Sequence, residues 1–211
     1  MDLPDATINW RLHEMEQNGS LQRIGRGKYR LPDKPVFNPE TKSFQEMAAF
    51  IRGQFPLVKY CLWDTEIVRA LAHHIPSRAF VIVEVEKDPL EEVYDKLKDK
   101  YDYVFLAKDY NQASGFLKKD VSAIFIKPLL SEAPVRILNG VPVPELEKIL
   151  VDTHRDMDLF SFLEGKEWNN LWENALARYT VNTTRLLRYA ARRGQRKFFY
   201  SLFHPGTVKN D

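Results

Sequence analysis

Cysteine is nearly absent from this chain, Cys61 being the only one in 211 residues. A lone thiol excludes an intramolecular disulfide framework, and neither a four-cysteine nor a Cys2His2 zinc site can be assembled around it. A reducing, cytosolic setting is therefore expected. Long apolar runs are missing too. The longest, Ala79 to Val85, falls far short of the roughly 18–20 residues that cross a bilayer, and the start, MDLPDATINW, lacks the apolar core of a signal peptide. Neither secretion nor a membrane partner is indicated. Net charge is almost nil, since 31 Lys+Arg against 29 Asp+Glu leave +2, so the total selects no partner. There is no G-x-S-x-G, no phosphate-cradling glycine loop, no H-E-x-x-H, no internal repeat and no low-complexity tract.

What is present is core material. A composition 44% hydrophobic and 12% aromatic suffices for one sizeable domain or two small ones. The first 31 residues read as a helix and a tight hairpin. Asp5 or Thr7 can cap a helix whose apolar positions Ile8, Leu12 and Met15 form one inward stripe, and Asn18-Gly19 stops it. LQRI and KYRL then read as short strands joined at Gly25-Arg26-Gly27, with a small bulge allowed because Leu21 and Ile24 alternate imperfectly. Pro32, Pro35 and Pro39 punctuate residues 32–43, which read as a linker.

From Phe44 onward the pattern is mixed α/β (α+β). Helices are expected over FQEMAAFIRGQF and from Asp64 to His74, and the β-branched run Phe80 to Val85 is a strand. Asp88-Pro89 opens a helix carrying Leu90, Val93, Leu97 and Tyr101. Tyr103–Ala107, Ala123–Lys127 and Val135–Leu138 are further buried strands of a mixed sheet. The remainder is a C-terminal helical segment, with apolar stripes over Glu145–Met157, Glu167–Tyr179 and Asn182–Arg193.

The small net charge conceals segregation. Leu21 to Leu31 carries Arg23, Arg26, Lys28 and Arg30 and no acid, whereas Glu84 to Asp102 holds eight acids against four lysines. From Arg178 to the end eight basic residues face only Asp211. At about 100° per residue, Arg185, Arg188, Arg192 and Arg196 fall on one side of a helix, while Leu186, Leu187, Ala190 and Ala191 fall on the other. With Arg193 this makes a second basic face, provided that Gly194 does not end the helix before Arg196. It serves either nucleic acid or simply the helix dipole and solubility. The acidic middle reads as a solvated helix face or a protein contact.

The stretch TINWRLHEMEQNGSLQRIGRGKYRL resembles the second half of a winged helix-turn-helix. VPELEKILVDTHRDM, followed by YTVNTTRLLRYAARRG, resembles the C-terminal signature of the AbiEi-type antitoxins and a related bacterial family of unknown function. In those proteins a winged helix of the form T-x-x-x-R-L…G…R-x-G-R-G-x-Y precedes an α/β domain, and both patterns occur here in that order. The resemblance implies a winged helix over residues 1–31, expected to be truncated at its N-terminus, and an AbiEi-like α/β and helical domain over 44–211. It further implies a transcriptional autorepressor bound to double-stranded operator DNA, and an antitoxin opposing a nucleotidyltransferase toxin without a stable complex.

The residues themselves divide the work of DNA binding. With the apolar stripe inward, the first helix turns Thr7, Asn9, His13 and Gln17 outward with Arg11 on the flank; Asn and Gln pair with adenine, Arg with guanine or phosphate. Arg23, Arg26, Lys28 and Arg30 of the hairpin meet phosphate, supplying affinity and register rather than sequence. Trp10, on the outward side, is expected to pack on the linker or another domain rather than meet a partner.

Two alternatives stay open. One is a non-enzymatic protein-interaction module descended from such a regulator. The other is a restriction-type nuclease, since Glu84, Glu86 and Lys87 follow Asp64 and Glu66 in a way that resembles a magnesium-holding set; against it, Val85 stands where an acid is wanted. His73-His74 point about 100° apart on a helix and cannot jointly hold a metal in the usual way. Cys61, within YCLW, reads as core filler rather than nucleophile. No catalytic residue, cofactor or metal is assigned, and no enzyme activity is expected.

Overall fold

Helix α1 (Asp5–Gln17) leads into a hairpin of β1 (Gln22–Gly25) and β2 (Lys28–Arg30). The computed structural model describes residues 4–17, 20–25, 27–72, 79–114 and 122–204. There follow α2 (Gln45–Gln54), β3 (Tyr60–Asp64), α3 (Thr65–Arg69), β4 (Phe80–Val85), α4 (Leu90–Lys100), β5 (Val104–Leu106), α5 (Tyr110–Ser114) and β6 (Ala123–Pro128). A second hairpin, β7 (Val135–Leu138) and β8 (Val141–Pro144), precedes α6 (Leu146–Arg155), α7 (Lys166–Arg178), α8 (Thr183–Arg192) and α9 (Arg196–Phe203). The mixed α/β architecture with a C-terminal helical segment is as expected.

The central sheet runs β3-β4-β6-β5, antiparallel at β3 and parallel across β4, β6 and β5. Period-two alternation sends its side chains to two separate cores. Tyr60, Leu62, Val83, Val85, Ile124 and Ile126 pack with α2, α4 and β8. Cys61, Trp63, Phe80, Ile82, Ala123 and Phe125 pack on the other face with α3 and α6 to α9. Covered on both sides, these strands read as continuous apolar runs. Glu84 and Lys127 are the exceptions, and both belong to the α6 face.

Some expectations need correction. The run YCLWD is itself a strand, and the helix expected from Asp64 to His74 is shortened to Thr65–Arg69, with the Asp64 side chain accepting from Ile67 N at 3.1 Å as its cap. The strand was hidden because it is buried on both faces and so shows no alternation. β8 was hidden by its prolines, Pro142 half-buried and Pro144 buried beside the core residues Val141 and Val143; Asn139 and Gly140, at φ 51 and 80, make the turn before it. Gly194 does end α8, at φ 71, and α9 starts afresh beyond it.

The N-terminal helix and hairpin form where the sequence placed them, with an irregularity between Arg23 and Gly25 and Gly27 at φ 68 in the turn. Its stripe does not behave as expected. Ile8 is 40% and Met15 38% exposed, and only Leu12 of the three is even half-buried. Trp10 is 62% exposed rather than packed, because no described segment covers that side of α1. Residues 32–35 run without helix or strand, as their prolines dictate, yet the segment through Thr41 lies against the body. Phe37 and Thr41 are buried, Arg136 donates to Phe37 O and Asn38 Oδ1, and Thr180 N donates to Pro35 O at 2.9 Å. Among the described residues no helix is long and apolar enough to cross a membrane.

Candidate nucleic-acid interface

Asn9, Arg11 and His13 are exposed on α1, with Thr7 half-buried. Thr7 sits in the first turn, where its N–H donates to Pro4 O at 2.9 Å, and Leu21 N donates to Met15 O at 3.0 Å, joining helix to hairpin. On β2, Lys28 and Arg30 are exposed while Tyr29 is half-buried; Arg30 also lies 3.6 Å from Asp33. The hairpin thus presents exposed positive charge, and the Leu21–Met15 backbone bond ties it to the end of α1. Arg23 lies in β1. Arg26, Asn18-Gly19 and His73-His74 lie outside the described residues, as do the side chains of Gln17 and Arg23.

The second basic face is not a free surface. Arg185 pairs with Glu145 and is mostly buried, Arg188 lies 3.1 Å from Glu132, and Arg192 donates to Ser131 Oγ at 2.6 and 2.8 Å. Arg193 meets Asp156 at 2.5 Å. These contacts dock α8 on α6 and on the 129–134 loop; Arg185 and Arg193 are drawn in, while Arg188, Arg192 and Arg196 stay exposed. Ala191, expected in the core, is also exposed. A face assigned by helical angle alone cannot reveal that a neighbouring loop supplies its counter-charges.

Behind Arg193 lies a buried charge network that the sequence reading missed. Glu84, 1% exposed, accepts from Trp63 Nε1 at 2.7 Å and from Lys148 Nζ. Lys148, fully buried, reaches Asp152 at 2.5 Å. Lys127, the register partner of Glu84, lies 3.6 Å from Asp152 and 2.7 Å from Asp156. Tyr189 Oη donates to Asp152 Oδ1 at 2.9 Å, and Arg193 Nε lies 3.1 Å from that oxygen, pairing by charge though angled off a hydrogen bond.

At Lys127, Lys148 and Asp152 burial opposes ionisation, but opposite charge overrides it. For Lys127 and Lys148 desolvation lowers the pKa, yet their acidic neighbours, Asp152 and Glu84 foremost, hold both above the ordinary lysine value. Desolvation likewise works against the Asp152 carboxylate, and Lys127, Lys148 and Arg193 hold it well below the usual range. Both lysines are therefore ammonium ions at neutral pH, suited to holding anions and not to nucleophilic attack. Burial pushes the Cys61 thiol up, as befits core filler.

A faint signal was present in sequence: Lys148 and Asp152 are spaced i, i+4 in an otherwise apolar stripe. The nuclease set is dispersed. Asp64 caps α3, Glu66 pairs with Arg69 at 3.0 Å, and Glu86 accepts from Lys59 N at 3.2 Å, so none joins Glu84. Lys87 is exposed. Among the described residues no group of three or more His, Cys, Asp or Glu is placed to hold a metal ion. The acids of α4, Glu91, Glu92, Asp95 and Asp99, are solvated, whereas Glu84 is not.

No curated protein and no solved structure matches the chain. A protein family does match it, over residues 7–207, from the first helix through the hairpin and the α/β body to the end of α9. The chain belongs to this family, a family of unknown function (DUF6577).

Proposed function

We propose that this protein is a DNA-binding transcriptional regulator of the AbiEi-like kind, reading duplex operator DNA through α1 and its basic hairpin. The observation that carries this reading is the joined unit at the N-terminus. A helix with exposed Asn9, Arg11 and His13 adjoins a hairpin whose Lys28 and Arg30 are exposed, and the arginines of α8 are largely committed elsewhere. Side chains on α1 supply base contacts and the hairpin cations supply phosphate contacts. The antitoxin role, opposing a nucleotidyltransferase toxin, is proposed on the sequence resemblance.

The test is a gel-shift titration on the DNA upstream of the protein's own gene, with a random duplex of equal length. Replacing Arg23, Arg26 and Lys28 by Ala should weaken both complexes alike and flatten the salt slope by about one unit per lost phosphate contact. An unchanged titration rejects the hairpin assignment. Asn9→Ala should instead narrow the difference between operator and random duplex. The exposed Ile8, Trp10 and Met15 favour a second reading, in which α1 docks on a protein partner. DNA affinity that is absent at low salt would favour that reading.

A further inference from the structure

A cleft of about 280 Å3 opens where β4, β6 and β5 run out at their carboxyl ends, lined by Lys127, Arg155, Asp156, Leu159 and Arg193 among others. This is the end of a parallel sheet at which ligands bind, and the volume lies near the small end of the roughly 300–1,000 Å3 of ligand pockets. We propose that the cleft binds a small organic anion, a molecule with a terminal carboxylate or phosphate, seated on Lys127 and Arg193 in exchange for the carboxylate of Asp156.

Asp156 already occupies the position such a group would take. One of its oxygens lies 2.7 Å from Lys127 Nζ and the other 2.5 Å from Arg193 Nη2. Glu84 and Asp152 are fully buried and matched from behind by Lys148, so neither can leave. Asp156 differs from them. It is the first residue past α6, at φ −99 and ψ 53, and its side chain is 24% exposed, so it can turn outward without unwinding the helix.

The surroundings favour an added negative charge. Lys108 and Arg155 stand exposed at the cleft and form no ion pair among the described residues. Asp158 is the one exposed acid beside them. With the buried groups directly behind the wall included, Lys108, Lys127, Lys148, Arg155 and Arg193 stand against Glu84, Asp152, Asp156 and Asp158, an excess of one cation that grows at the site itself when Asp156 turns outward. Leu130 and Leu159 offer apolar surface to the body of the ligand. Charge-assisted bonds to a lysine and a planar arginine suit carboxylate and phosphate alike. Because Lys127 stays charged, the site holds an anion and does not form a covalent adduct.

The experiment is isothermal titration calorimetry on the full chain at fixed ionic strength. Inorganic phosphate, a nucleoside 5′-monophosphate and citrate are the probes, and chloride is the reference. Saturable one-to-one binding of at least one probe is expected, the phosphate and citrate arms separating the two sources of charge. Asp156→Asn should tighten binding roughly tenfold, since it removes the internal competitor, an effect that a purely structural aspartate would not have. Lys127→Gln should abolish binding. Should that variant fail to fold, the double variant Lys108→Gln, Arg155→Gln, lying outside the buried network, should weaken binding several-fold. No saturable binding of any probe to the wild-type chain overturns the proposal, as does an Asp156→Asn variant that binds no better.

Discussion

At the scale of single residues, Lys148 is the most consequential side chain in the body. It lies fully buried between Glu84 and Asp152 and over the Trp63 ring at 5.4 Å. Removing one partner of such a network leaves charges buried without compensation, which costs more than the network itself contributes. Lys148→Met is accordingly expected to destabilise the chain by about 3–5 kcal/mol in urea unfolding. A loss under about 1 kcal/mol would mean that water enters and solvates the two acids. The network also sets a pH window. Asp152 is depressed in the folded state, so its contribution is present above the unfolded value of about 3.9 and is lost as pH falls through the folded one. Lys127 and Lys148 are raised, so theirs is present below about 10.4 and is lost as pH rises through their folded values. Between these limits Asp152, Lys127 and Lys148 add no pH dependence.

At the scale of elements, α6 is held by aromatic packing as well as charge. His154 stacks on Phe198 of α9 at 3.9 Å and meets Trp168 of α7 edge-on at 4.7 Å. Burial lowers its pKa, so the neutral ring is the one that packs. The stability it contributes is present above the unfolded histidine value of about 6.5 and is lost as pH falls through the folded value. Urea midpoints should therefore fall between pH 7 and pH 5, and His154→Phe should reduce that slope; an unchanged slope would assign it to other histidines. The break between α8 and α9 is a backbone matter. Gly194 sits at φ 71 with open space around its Cα, so Gly194→Ala should cost about 1–2 kcal/mol through strain alone. Urea unfolding measures this. The strands Phe80–Val85 and Ala123–Pro128 and the helix Leu90–Lys100 were legible because β-branched runs and a proline-led cap announce them. β3 and the short α3 were not, because a strand buried on both faces carries no period, and the helical spacing after Asp64 looked longer than its packing supports.

At the scale of the whole molecule, the sheet between two cores ties residues 44–204 together. Its two faces share β3, β4 and β6, so neither core can open without exposing the other. Far-UV circular dichroism and the fluorescence of Trp63, Trp168 and Trp172 should report one urea midpoint. Trp10 lies outside both cores, so Trp10→Phe is expected to shift that midpoint by less than about 0.5 kcal/mol. It should also remove the fraction of fluorescence most readily quenched by acrylamide. A separate first transition, lost in Trp10→Phe, would instead show α1 and the hairpin unfolding on their own.

What the sequence determined by itself is what depends on near neighbours. The glycine turn of the hairpin, the proline-bound stretch after it, the buried strands and the amphipathic C-terminal helices follow from backbone freedom and local period. The concentration of cations in Leu21 to Leu31 also needs no fold to be seen. What only the tertiary structure decided is which charges meet. Glu84, Lys127, Lys148, Asp152, Asp156 and Arg193 come from two strands, one helix and the residues that end α6 and α8. Arg185 and Arg193, which shared a cationic face on paper, are spent on Glu145 and on this network. A charge is read from sequence as a sign, but its partner is chosen by chain segments tens of residues away, and those segments are brought together by the apolar faces around them.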